Sequence, residues 1–323
     1  MIKEGNKSSG NGSSGVRIIF MGSPEFAVSS LDALIRAGLN IVAVITAPDR
    51  PAGRGMQPTS TAVKKYALEA GLRLLQPEKL KNPFFLDELK ALKADLQVVV
   101  AFRMLPELVW NMPSMGTINL HASLLPQYRG AAPINWALIN GEKETGVTTF
   151  KLVHEVDKGN ILLQEKINIG PEENAGMVHD RMKQIGAGLL LRTVKGLINK
   201  SLKEIPQESI ADGMLLKTAP KIKNETARIN WNQPGTSIHN LIRGLSPYPG
   251  AFTMLSNKIL KILGSTFESG VQGSIPGSFE TDGKTYFKFS CTDGYVFCRE
   301  VQLEGKKKMQ IEEFLRGFRF ERP

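Results

Sequence analysis

Apolar and polar positions along this chain follow two different rhythms. From residue 16, short unbroken apolar runs alternate with stretches whose apolar residues recur every three or four positions. That is the pattern of buried parallel strands followed by helices. Residues 16–21 are apolar except for Arg17, and Gly22 then turns the chain. Ser23 is placed to cap the next helix, Pro24 suits its first position, and Gly38 is placed to end it. Residues 41–47 predict a second strand and 63–70 a helix closed by Gly71. Residues 96–102 and 116–121 predict two more buried strands. Residues 147–153 and 161–169 alternate more, as in a hairpin, and 175–200 is the longest helical pattern. Repeated strand–helix units imply an open, mostly parallel α/β sheet with helices on both faces over residues 16–200. Ligands of such sheets bind beyond the carboxyl ends of the strands.

After residue 200 the periodicity fades, and residues 201–223 read as a linker. From residue 224 to 323, strand-like runs at 252–255, 258–263, 286–290 and 295–301 are separated by Gly, Pro and Asn turns. They predict a small barrel or sandwich, with 311–318 as a terminal helix. Residues 1–15 are Gly, Ser, Asn and Lys rich and predict a disordered tail.

A hydrophobic fraction of 41% and a charged fraction of 22% in 323 residues are those of a globular protein with enough material for two domains. No apolar run approaches the roughly 20 residues that cross a bilayer, and the N-terminus lacks an apolar signal core, so neither membrane insertion nor export is expected. Cys291 and Cys298 are the only cysteines, too few for a metal cluster, and read as free thiols. The net charge of +10 favours a polyanionic partner, although the excess is spread along the chain rather than gathered in a block.

The chemistry narrows by what is missing. No G-x-G-x-x-G follows the first strand, no G-x-x-x-x-G-K-[ST] occurs, and G-x-S-x-G is absent. The four histidines are scattered, so no metal site is expected. What remains is Asn119 and His121, two apart and therefore on one face of a strand end, with Asp157 in a turn before Gly159. An amide donor beside an imidazole can hold a developing oxyanion, and a carboxylate can orient the imidazole or take a proton. Acyl transfer to an amine needs this set and requires neither metal nor covalent intermediate. Taken alone, the residues read more readily as satisfied polar groups at a strand end, with Asp157 a turn residue before Gly159, and spacing alone does not reverse that.

The run Asn119-Leu120-His121-Ala122-Ser123-Leu124-Leu125-Pro126-Gln127-Tyr128-Arg129-Gly130 strongly resembles the signature of the 10-formyltetrahydrofolate-dependent formyltransferases. Asp157-Lys158-Gly159 falls where that family has an Asp-Thr-Gly turn. Three further pieces strengthen the match: residues 22–27, residues 48–55 (Pro48-Asp49-Arg50-Pro51-Ala52-Gly53-Arg54-Gly55) and residues 227–231. The resemblance covers essentially everything from residue 16 onward. It implies a Rossmann-like catalytic domain and a small OB-like β-barrel, with Asn119, His121 and Asp157 as the catalytic trio. It also implies that Ser123, Leu124, Leu125 and Pro126, with the strand end at Ala101, Arg103 and Leu105, hold 10-formyltetrahydrofolate, the formyl-donor substrate.

The implied acceptor is methionine on initiator tRNA, met by Arg50 and Arg54 of the 48–55 loop and by Lys217, Lys221 and Lys223. Lys306, Lys307 and Lys308 are further candidates for backbone phosphates. A cytoplasmic monomer is the implied setting, and the lack of an Arg-rich leader favours a bacterium over an organelle. The departures are Lys158 for threonine, Arg103 where many relatives have glycine, and Asn230 for aspartate. Rival readings are transfer to a nucleotide sugar or glycinamide ribonucleotide, release of formate from the same folate, and a tRNA-binding protein without catalysis.

Overall fold

The computed structural model describes residues 15–52, 57–270 and 275–318. The tail expected at 1–15, apart from Gly15, lies outside the described residues, and so does Arg54. The chain divides into two compact units. The first takes in the residues up to His121 together with Thr148–Leu163 and Lys183–Pro206. The second takes in Ala122–Val147, Gln164–Met182 and everything from Gln207.

Seven strands make the main sheet: β1 (Ile18–Gly22), β2 (Ile41–Ile45), β3 (Leu74–Leu75), β4 (Leu96–Val100), β5 (Thr117–His121), β6 (Glu144–Lys151) and β7 (Ile161–Asn168). Their order is β7-β6-β5-β4-β1-β2-β3. Pairing is parallel from β3 through β5, and β6 runs antiparallel to β5. Every residue of β1 and of β4 is buried, as strands covered on both faces require. Helices α1 (Glu25–Arg36), α2 (Ala62–Glu69), α3 (Pro83–Ala91) and α4 (Glu107–Trp110) connect the parallel strands. One face packs Ile19, Met21, Ala43, Ile45 and Val99 against Leu89 of α3 and Val109 of α4. No helix among the described residues is long and apolar enough to cross a membrane.

Some local expectations shift for identifiable reasons. Pro24 occupies the N-cap of α1 with no side-chain cap. Ser23 turns to the neighbouring strand end, its Oγ accepting from the Ala47 amide at 3.2 Å and from the Thr46 hydroxyl at 3.3 Å. α2 has the cap that α1 lacks: Thr61 accepts from the Lys64 amide. β4 stops at Val100 because Ala101 enters the left-handed region, with φ of 47°. α3 carries too weak a period to have been anticipated and is set by Asn82, whose side chain caps it, and Pro83 at its first turn.

In the second unit, α5 (Pro133–Ile139) precedes an antiparallel sheet of β8 (Ala251–Leu255), β9 (Lys258–Ser269), β10 (Phe279–Thr281), β11 (Phe287–Cys291), β12 (Gly294–Leu303) and β13 (Met309–Gln310). The path runs β8-β9-β12-β11-β10, with β13 on β12, a half-barrel. Four of its strands lie where the alternation predicts them. The helices α7 (Gly235–Leu245) and α8 (Ile311–Gly317) bury Ile238, Ile242, Phe314 and Leu315 into the same core as Phe287 and Phe289. The long α6 (Ala175–Ile198) precedes them in the chain. Trp231 stacks on Phe289, ring centres 4.4 Å apart.

The segment read as a linker is ordered. Thr218–Ala219 forms a parallel ladder with Arg129–Gly130. The Gln127 side chain accepts from the Lys217 amide and donates to the Leu215 carbonyl, and Trp136 Nε1 donates to the Pro220 carbonyl. Gly130 is required there: its φ is 128°, and a Cβ would lie 2.4 Å from the Ala219 carbonyl oxygen. These partners are far apart in sequence, so no local pattern announces them.

Candidate active site

β5 is an interior strand of the main sheet, which fixes its direction and which face each side chain takes. Asn119 pairs with Phe150 of β6 on one side and Val99 of β4 on the other. His121, the last residue of β5, is 6% exposed and has the Phe150 ring edge-on at 6.5 Å. The strand end that delivers these two side chains is the carboxyl edge of the parallel sheet, where such folds bind ligands.

Asp157 comes from the loop between β6 and β7. Its carboxylate lies 3.9 Å from Nδ1 of His121, both side chains largely buried. That separation is an ion-pair distance rather than a hydrogen bond. Asp157 has a φ of 55°, a left-handed conformation that aspartate tolerates better than most residues. Gly159 follows two residues on, buried against the Lys151 carbonyl and the Phe150 ring. Lys158, between them, is exposed. The three residues expected as catalytic, Asn119, His121 and Asp157, all belong to the first unit.

The folate-side candidates fall in two places. Ala101, Arg103 and Leu105 follow β4 in the first unit, beside the end of β5. Ala101 is exposed, Leu105 buried, and the chain between them offers main-chain groups at the sheet edge. The Arg103 side chain is turned away: its guanidinium donates to the carbonyls of Pro77 and, at 2.9 Å, Glu78. Burial, then the charge of Arg50, depresses its pKa from the usual value. The Arg103 side chain is thus tied to the loop after β3. Ser123, Leu124, Leu125 and Pro126 open the second unit. The Ser123 hydroxyl donates to the Gln127 carbonyl at 2.6 Å and the Leu125 carbonyl accepts from Gln164 Nε2 at 2.8 Å. Ser123, Leu125 and Pro126 are buried, and Leu124 is half-buried.

Among the basic candidates, Arg50 is exposed in a short ladder of Arg50–Ala52 with Gln57–Thr59. The base of that ladder is tied by Lys64 to Asp49 at 2.6 Å, which holds the Asp49 carboxyl below its ordinary value. Lys221 and Lys223 are exposed. Lys217 is different: its ammonium sits 2.6 Å from Glu142, which also accepts from the buried Tyr128 hydroxyl at 2.5 Å. The sequence reading had no signal for this cluster. Among the described residues no group of three His, Cys, Asp or Glu side chains could hold a metal.

An imidazole, an amide and a carboxylate at the carboxyl edge of a Rossmann-like sheet are groups that group-transfer chemistry can use. The chain belongs to the formyl transferase family. The family description "Formyl transferase" matches residues 16–194, and "Formyl transferase, C-terminal domain" matches residues 221–319. The chain is 51% identical over 308 residues to the methionyl-tRNA formyltransferase of Bacteroides fragilis, covering 94% of this chain and 95% of that one. Against the methionyl-tRNA formyltransferase of Flavobacterium johnsoniae it is 48% identical, covering 94% and 97%. Among solved structures, its fold is similar to the sugar 3N-formyl transferase WlaRD, with a TM-score of 0.67, 21% identity, and coverage of 90% of this chain and 99% of that chain.

Proposed function

We propose that this chain transfers the formyl group of 10-formyltetrahydrofolate to the α-amine of methionine carried by initiator tRNA. The observation that carries the reading is end-to-end similarity, at about half of all positions, to enzymes named for that reaction. The site has the parts the reaction asks for. The neutral amine attacks the formyl carbon, and negative charge gathers on the formyl oxygen. Asn119 would donate to that oxygen, with His121 at the end of the same strand as the second donor. The amine's proton passes to the His121 and Asp157 pair and is returned to the folate nitrogen as its bond to the formyl carbon breaks. The backbone after β4, from Ala101 to Leu105, suits a flat heterocycle that needs main-chain partners. Residues 123–126 would hold the donor as well.

Arg50, Arg54, Lys221 and Lys223 would meet tRNA phosphates, and Lys217 would enter the complex with its charge already paired to Glu142. The chain would work as a monomer in the cytoplasm, where initiator tRNA is used. The test is transfer of labelled formyl from 10-formyltetrahydrofolate to charged initiator tRNA by wild type, Asn119→Ala and His121→Ala. Wild-type transfer, with a loss of at least about a hundredfold in each variant, supports the reading. A folded wild type that formylates a nucleotide sugar or glycinamide ribonucleotide but not the tRNA overturns it.

A further inference from the structure

The loop that carries Asp157 is closed at its base by a residue that neither the family signature nor the catalytic chemistry points to. Glu204 lies beyond α6, 44 positions after Asn160 in the chain. Its carboxylate reaches both ends of the loop: one oxygen is 2.5 Å from the Lys151 ammonium, and the other accepts from Asn160 Nδ2 at 3.1 Å. The main chain supports the same closure. The Lys151 amide donates to the Asn160 carbonyl at 3.0 Å, and Ile161 and Ile205 exchange backbone hydrogen bonds at 2.8 and 2.9 Å. Hydrogen bonds from Lys151 and Asn160 hold the Glu204 carboxyl below its ordinary value.

Between these ends the loop is largely exposed: Val153, His154, Glu155, Val156 and Lys158 all face solvent. Asp157 is in a left-handed conformation, and its carboxylate still stands 3.9 Å from His121. We infer that Glu204 is a positioning residue for Asp157: by holding Lys151 and Asn160 together, it sets how closely the Asp157 carboxylate approaches the His121 imidazole. The inference rests on the assignment of Asp157 to the catalytic set.

The experiment measures kcat and both KM values for formyl transfer in the full chain as wild type, Glu204→Ala, Glu204→Gln, Asp157→Asn and the Asp157→Asn/Glu204→Ala double variant. Displacement of a catalytic group by a fraction of an ångström is expected to lower kcat of Glu204→Ala by roughly fivefold to thirtyfold. Both KM values should stay within about twofold, because the change acts on positioning and not on binding. Glutamine keeps one acceptor oxygen and should restore part of the rate. In the Asp157→Asn background the alanine change should remove no further rate, since coupled residues are not additive. A wild-type kcat in Glu204→Ala overturns the inference, and so does an undiminished further loss in the double variant, which marks general destabilisation. Asp157→Asn with wild-type kcat instead removes the assignment of Asp157 on which the inference stands.

Discussion

A Cβ on Gly159 would lie 1.5 Å from the carbonyl oxygen of Lys151, closer than any two non-bonded atoms can stand. The glycine that follows Asp157 is thus fixed by contact with the neighbouring strand rather than by its own backbone angles. It lets the loop that carries Asp157 lie against the end of β6.

Gly159→Ala should therefore move the loop off β6. The expected result is a stability loss of roughly 1–3 kcal/mol, as for other insertions into closed packing, and a fall in kcat larger than that of Lys158→Thr. Thermal unfolding and steady-state kinetics of the two variants check this. Lys158→Thr changes an exposed position and should leave both quantities close to wild type.

Glu142 ties the loop after β5 to the segment before residue 220. Burial, the largest single influence on its carboxyl, opposes ionisation, but hydrogen bonds from Lys217 and Tyr128 outweigh it and leave the pKa below the ordinary value of 4.5. A depressed carboxyl stabilises the fold fully above its unfolded pKa and ceases to do so as pH falls through the folded one. Wild type should thus lose stability below about pH 4.5 more steeply than Glu142→Gln. Denaturant unfolding across that range tests it. Tyr128→Phe should cost about 1–3 kcal/mol at neutral pH, because it removes the hydroxyl that donates to the charged Glu142 carboxylate.

The basic side chains should separate by salt dependence. Each exposed cation that meets a phosphate contributes about one unit to the slope of log affinity against log salt. Arg50→Ala, Lys221→Ala and Lys223→Ala should each reduce that slope by about one for tRNA binding. Lys217→Ala should change it little, its ammonium being held by Glu142.

Cys291 and Cys298 are both buried and free. Burial pushes both thiols above their ordinary pKa. A thiol reagent should leave them unmodified in the native protein and react with both once the chain is unfolded. Rapid reaction before unfolding would mean that the half-barrel opens locally.

The strands were the most legible part of the chain, because a strand covered on both faces must be apolar throughout. Residues 16–21 and 96–102 announced β1 and β4 for that reason, with ends misjudged by a residue or two where a left-handed residue such as Ala101 cut the run. Asn119 and His121 were legible because the two-residue period of a strand puts them on one face whatever surrounds it. The short helix α3 was not, since its few turns are held by packing and carry too little period of their own, and α7 was passed over although Ile238, Ile242 and Leu245 recur at helical spacing.

By itself, then, the sequence determined the alternation of strands and helices and, through the resemblance of residues 119–130, the family and its reaction. Only the tertiary structure decided what distance in the chain conceals. It set the 3.9 Å between Asp157 and His121, the turning of Arg103 toward residues 77 and 78, the pairing of Lys217 with Glu142, and the reach of Glu204 across the loop base. Periodicity records which face of one element is buried; it holds no record of which separate elements meet.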